Sequence, residues 1–72
     1  MKKATIMDHE CLLVYDGGDE EDSIVSIDKR EIVFEPEWLL AYGYLDTDMK
    51  ITEAGFVKLC LDAIDDINEE GA

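Results

Sequence analysis

The chain has little of what enzyme and metal chemistry draw on. It holds one histidine (His9), one proline (Pro36) and two cysteines, Cys11 and Cys60. No glycine-rich phosphate loop and no hydrolase-type nucleophile motif is present. A general acid needs a desolvated pocket to tune its pKa, and a chain of 72 residues seldom builds one. No catalytic residue, no cofactor and no metal site is expected. Two cysteines are too few for a disulfide scaffold, so both are read as buried reduced thiols of a cytoplasmic protein. His9, Cys11 and the distant Cys60 lack the ligand spacing of a structural zinc site. Long hydrophobic runs are also missing. The first apolar stretch is broken by Asp8, His9 and Glu10, so no signal sequence is expected, and no segment approaches the ~20 apolar residues that span a bilayer.

Positive charge is scarce as well. Six Lys and Arg stand against nineteen Asp and Glu, for a net charge of −13. That excludes direct nucleic-acid binding, which needs a basic footprint, and disfavours anionic membrane surfaces. It favours solubility and attraction to basic partners, at the cost of self-repulsion in the compact state. The excess is uneven: residues 1–15 are neutral, residues 16–22 carry −5 and residues 51–72 carry another −5. The acidic loop does not follow a calcium-binding pattern. Counted from Asp16, Glu21 stands where an EF-hand needs its glycine and Ile27 where it needs its glutamate. "DTDMKITE" fails in the same way, with Lys50 at a ligand position and Ile51 in place of the glycine.

What remains reads as one domain over residues 1–72, with ample apolar residues for a small core. "ECLLVYD" (10–16) is a strand stopped by the turn chemistry of Asp16-Gly17-Gly18. "SIVSID" (23–28) is a second strand, "DKRE" a tight turn and "IVF" (32–34) a third strand. "ATIM" (4–7) either extends the first strand or stands apart before a bulge at Asp8–His9. Pro36 between two glutamates opens a short helix, which Gly43 ends or bends. Trp38 and Tyr42 share one face of it and are expected in the core. Tyr44, just after Gly43, is expected to be exposed to a partner. "LDTDMKI" is a loop in which Met49 and Ile51 can add a short strand. Thr52 caps the final helix, expected over about 53–69 with Gly71 as its stop. Phe56, Leu59, Cys60, Ala63, Ile64 and Ile67 form its core stripe.

On the other side of this helix Asp62, Asp65, Asp66 and Glu69 recur at helical spacing, with Lys58 the one cation among them. Asp62–Asp66 and Asp65–Glu69 are like-charge i,i+4 pairs, each unfavourable by a few tenths of a kcal/mol. Acids also oppose the helix dipole at this end, by roughly 0.3–1 kcal/mol each. Together the cost approaches about 2 kcal/mol against a typical stability of roughly 5–15 kcal/mol. A tolerated cost of this kind suggests use.

Residues 39–56, "LLAYGYLDTDMKITEAGF", resemble the end of a winged-helix domain. In that family a helix closing on Gly-Tyr-Leu is followed by a wing and an "(I/L)TEAG" turn into the last helix. Gly43-Tyr44-Leu45 and Ile51-Thr52-Glu53-Ala54-Gly55 match that pattern here. The preceding helices and the DNA-facing basic residues of the family are missing, so the resemblance implies a shared scaffold and not DNA binding. In size and charge the chain is also similar to small acidic proteins of phages and mobile elements. These include DNA mimics and inhibitors of restriction or CRISPR enzymes.

The expected fold is therefore α+β: a three-stranded antiparallel sheet, a short helix, and a long C-terminal helix packed on the sheet. The expected function is non-enzymatic binding to a basic, nucleic-acid-binding surface of a partner protein. The candidate contacts are Asp19, Glu20, Glu21 and Asp22 on the loop, Asp62, Asp65, Asp66 and Glu69 on the helix, and Tyr44. The alternative is an adaptor or homo-oligomer that binds through apolar surface (Tyr44, Val57, Leu61), its acids serving only solubility.

Overall fold

A computed structural model describes residues 2–70. Four strands come first: β1 (Lys3–Ile6), β2 (His9–Tyr15), β3 (Ser23–Ile27) and β4 (Arg30–Phe34). The helices α1 (Pro36–Tyr42) and α2 (Glu53–Glu70) follow. The sheet is an antiparallel meander in the order β1-β2-β3-β4, which leaves β1 and β4 as its edges. The architecture is α+β with a long C-terminal helix, as the pattern predicts, but with four strands and not three. "ATIM" does not extend the next strand. Lys3–Ile6 folds back on it, with Ile6 opposite His9 across the two-residue turn Met7-Asp8.

Both short hairpins turn through two consecutive residues of positive φ, Met7-Asp8 (52° and 66°) and Asp28-Lys29 (49° and 73°). This geometry matches the right-handed twist of the flanking strands. It normally selects Asn or Gly, and neither is present at these turns, which is why the first turn gives no signal in the sequence. "DKRE" is a tight turn, as expected, but only Asp28 and Lys29 form it, and Arg30 already pairs with Ile27. Asp28 fastens this turn to β2. Its Oδ1 accepts the Glu10 N–H at 2.9 Å and its Oδ2 faces His9 Nδ1 at 2.5 Å. An ionised carboxylate can only accept, so the imidazole donates here. The hydrogen bond from His9, then that from the Glu10 amide, hold the Asp28 carboxyl below the usual carboxylate range.

Alternation sends Cys11, Leu13, Val25 and Ile27 to one face of the sheet, where α2 lies. The helix meets them with Phe56, Leu59, Cys60, Ala63 and Ile64, all buried at the expected spacing. Leu59 has no exposed surface, and burying such a side chain contributes roughly 1.5–3 kcal/mol. Leu39, Tyr44 and Ile51 close the core. Thr52 caps α2 as expected, its Oγ1 accepting the Gly55 N–H at 2.9 Å. Met49 and Ile51 add no strand: Leu45 and Ile51 form one isolated bridge. Gly43 ends α1 in the left-handed conformation. Gly71, the expected stop of α2, lies outside the described residues.

The acidic loop is a built structure. Asp16 Oδ1 accepts the Gly18 N–H at 3.0 Å, and its Oδ2 reaches across to the Ile51 N–H at 2.9 Å. Ser23, buried at the start of β3, accepts the Gly17 N–H at 3.0 Å. Gly18 has a φ of +62°, and a Cβ there would stand 2.6 Å from the Met49 carbonyl oxygen. Glycine is required on both counts.

Candidate functional site

The acidic stripe of α2 does not simply face water. Asp62, Asp65, Asp66 and Glu69 form one wall of a groove of about 650 Å³. Ile32, Val33 and Phe34 of β4 form the facing wall, and Glu35, Glu37 and Trp38 border one end. All six charged residues lining the groove are acids. None of them is in an ion pair among the described residues. The three pairs there are Lys2–Glu53, His9–Asp28 and Arg30–Glu70. The last is the compensation that reaches the far end of α2: its last turn contains no basic residue, and Arg30, the first residue of β4, supplies the charge.

Local sequence explains how Glu35 and Glu37 arrive there. Pro36 pre-shapes the first turn of α1 directly after β4, so its flanking acids stay beside the strand's end. Read along the chain they are ordinary first-turn acids, which suit a helix N-terminus. Only the packing of α2 alongside sets them with the stripe.

The aromatic residues depart from expectation. Trp38 and Tyr42, expected in the core, are 37% and 59% exposed, whereas Tyr44, expected at the surface, is 8% exposed. The spacing of Trp38 and Tyr42 does put them on one face, but α1 buries only Leu39. Tyr44 turns inward because the chain leaves Gly43 in a left-handed conformation, and the Tyr44 N–H then bonds back to the Leu39 carbonyl. Burial first, then the charge of Asp62, push its hydroxyl above the usual tyrosine range. The aromatic rings form a ladder. Phe34 stacks on Trp38 with centroids 5.5 Å apart, Trp38 lies 4.7 Å from Tyr42, and Tyr42 stacks on Tyr44 at 5.8 Å. The middle of this ladder is an exposed indole beside carboxylates, an environment that suits a cation.

Asp19, Glu20, Glu21 and Asp22 are exposed, as expected, but none of them lines the groove. They project from the turn that Gly17 closes by accepting the Glu21 N–H at 3.1 Å. Glu21 folds back toward β2, and its hydrogen bond with the Tyr15 hydroxyl holds that phenol above its ordinary pKa. Val57 and Leu61, the apolar candidates on α2, are 41% and 38% exposed. Val57 lies on the other flank of the helix, against β1 and β2.

Cys11 on β2 and Cys60 on α2 are free thiols fully buried in the core, and the Cys11 thiol donates to the His9 carbonyl at 3.6 Å. Burial pushes the Cys60 thiol up to about 12. At neutral pH it stays protonated and unreactive. No group of three or more His, Cys, Asp or Glu among the described residues is placed to hold a metal ion. No described helix is long and apolar enough to cross a membrane.

No protein-family model, no curated protein and no solved structure matches this chain.

Proposed function

We propose that this chain is a small non-enzymatic binding protein whose acidic groove recognises a basic surface of a partner protein. A surface that ordinarily binds nucleic acid fits best, because it offers dense positive charge to a ligand carrying a net −13. The chain would then act as a DNA mimic, of the kind found among phage and mobile-element inhibitors. One observation carries this reading: six carboxylates without ion-pair partners surround an exposed apolar strip. Carboxylates alone steer a partner, and apolar area beside them retains it. The loop acids Asp19 to Asp22 extend the field outside the groove and act on the rate of encounter.

A partner captured from lysate on the immobilised chain at low salt should be released steeply as salt is raised. Replacing Asp62, Asp65 and Asp66 by Asn and Glu69 by Gln should abolish binding without unfolding the chain. An affinity indifferent to both treatments would falsify the reading. The exposed Val57 and Leu61 support the second reading, an adaptor or homo-oligomer bound through apolar surface. In that case Leu61→Ser removes binding and the acid replacements do not.

A further inference from the structure

β4 is an outer edge of the sheet, and its pairing with β3 is regular from Ser23–Phe34 to Ile27–Arg30, with no bulge. In a two-residue hairpin the residues flanking the turn exchange both main-chain hydrogen bonds, and the pattern then alternates. Arg30, Ile32 and Phe34 therefore spend their main-chain groups on β3. Those of Glu31 and Val33 point outward, and among the described residues no loop or helix main-chain group pairs with them. Val33 is 57% exposed. Natural edges are normally blunted by lysine, proline, a bulge or a covering element. The opposite edge has Lys2 and Lys3 at its start; β4 has Arg30 and Glu31 beside the hairpin turn, and no charge, proline or bulge from Ile32 to Phe34.

We infer, building on the function proposed above, that the β4 edge takes up an extended segment of the partner as a fifth strand, basic at alternate residues. Charge selects this occupant. On an added strand every second side chain would project toward the α2 wall, where Asp62, Asp66 and Glu69 stand without ion pairs. The intervening side chains would lie beside Val33. At one end Glu35 and Glu37 add two more carboxylates beside the partly exposed Trp38. A second copy of this chain is a poor occupant, since two bodies of net charge −13 repel. Main-chain pairing would supply affinity and the alternating charge would supply selectivity.

The test uses the full chain, labelled with ¹⁵N, and a short synthetic peptide that alternates lysine with valine. A matched peptide has the same side chains, with its alternate amides N-methylated so that one edge cannot pair. The expected result is salt-sensitive binding with slowed hydrogen exchange at the Glu31 and Val33 amides, and at least about tenfold weaker binding of the methylated peptide. Equal binding of both peptides, with resonance changes confined to α2, overturns the added strand and leaves the acidic-groove reading intact. Binding that survives conversion of Asp62 and Asp66 to Asn and Glu69 to Gln, or no binding at low salt, overturns both. Concentration-dependent protection of Glu31 and Val33 without any peptide identifies a second copy as the occupant and overturns the inference.

Discussion

Two regions of this molecule hold the same charge and use it differently. Residues 16–22 and residues 51–72 each sum to −5. In the loop the first acid, Asp16, is a construction element: its two oxygens hold the Gly18 and Ile51 amides and tie the β2–β3 connection to the entry of α2. The acids after it stand on a turn away from the groove. On α2 the acids hold no backbone amide and enter no ion pair among the described residues, save Glu53 with Lys2 and Glu70 with Arg30. They border apolar surface on β4 and α1 instead. Carboxylates that accept main-chain N–H groups contribute to the fold. Unpaired ones at the wrong end of a helix weaken it and remain available to a partner.

The sharpest way to break this contrast is Gly18→Val. The side chain would enter a left-handed position and meet the Met49 carbonyl. Urea unfolding should show a loss of roughly 2–4 kcal/mol. The fraction that stays folded should still bind a basic peptide, because the loop does not line the groove. Asp16→Ala comes next. It strands the Gly18 and Ile51 amides and should cost about 1–3 kcal/mol, again with peptide affinity retained. Converting Asp62 and Asp66 to Asn and Glu69 to Gln should have the opposite signature: a gain of about 0.5–1 kcal/mol in stability, with loss of binding. The same neutralisation of Asp19, Glu20, Glu21 and Asp22 should leave stability within about 0.5 kcal/mol. It should slow association measured by surface plasmon resonance and leave dissociation unchanged.

The smallest effect is a pH dependence. Asp28 titrates below its ordinary range in the folded state, so the native form binds its proton less readily than the unfolded form does. Its contribution is fully present above the ordinary carboxylate range and is lost as pH falls through the lowered value. Asp28→Asn should reduce the melting temperature by a few degrees at neutral pH, and the difference from the parent chain should shrink on acidification.

Much of the fold is legible in the residues. The spacing from Phe56 to Ile67 puts a core stripe on α2, and Thr52 and Pro36 mark helix starts by capping and by preset φ. The strand at Lys3–Ile6 is harder to see, since Met7-Asp8 lacks the Asn or Gly that announces a tight hairpin. The site is half legible. The stripe Asp62, Asp65, Asp66 and Glu69 follows from helical period alone. Glu35, Glu37, Val33 and Trp38 do not, because nothing near them in the chain shows what they face. Tyr44 and Tyr42 exchange their expected places for the same reason: the left-handed Gly43 redirects the chain by an amount that periodicity does not encode.

By itself the sequence determined the charge, the α+β class and the one-sidedness of the acids on α2. These are local or additive properties, set by residue type and by the 3.6 and 2.0 repeats. The tertiary structure alone decided that the stripe lies along an open strand edge, that two acids from the start of α1 join it, and that Asp16 is spent inside its own loop. Each depends on which segments meet in space, and that is settled by packing α2 across one face of the sheet.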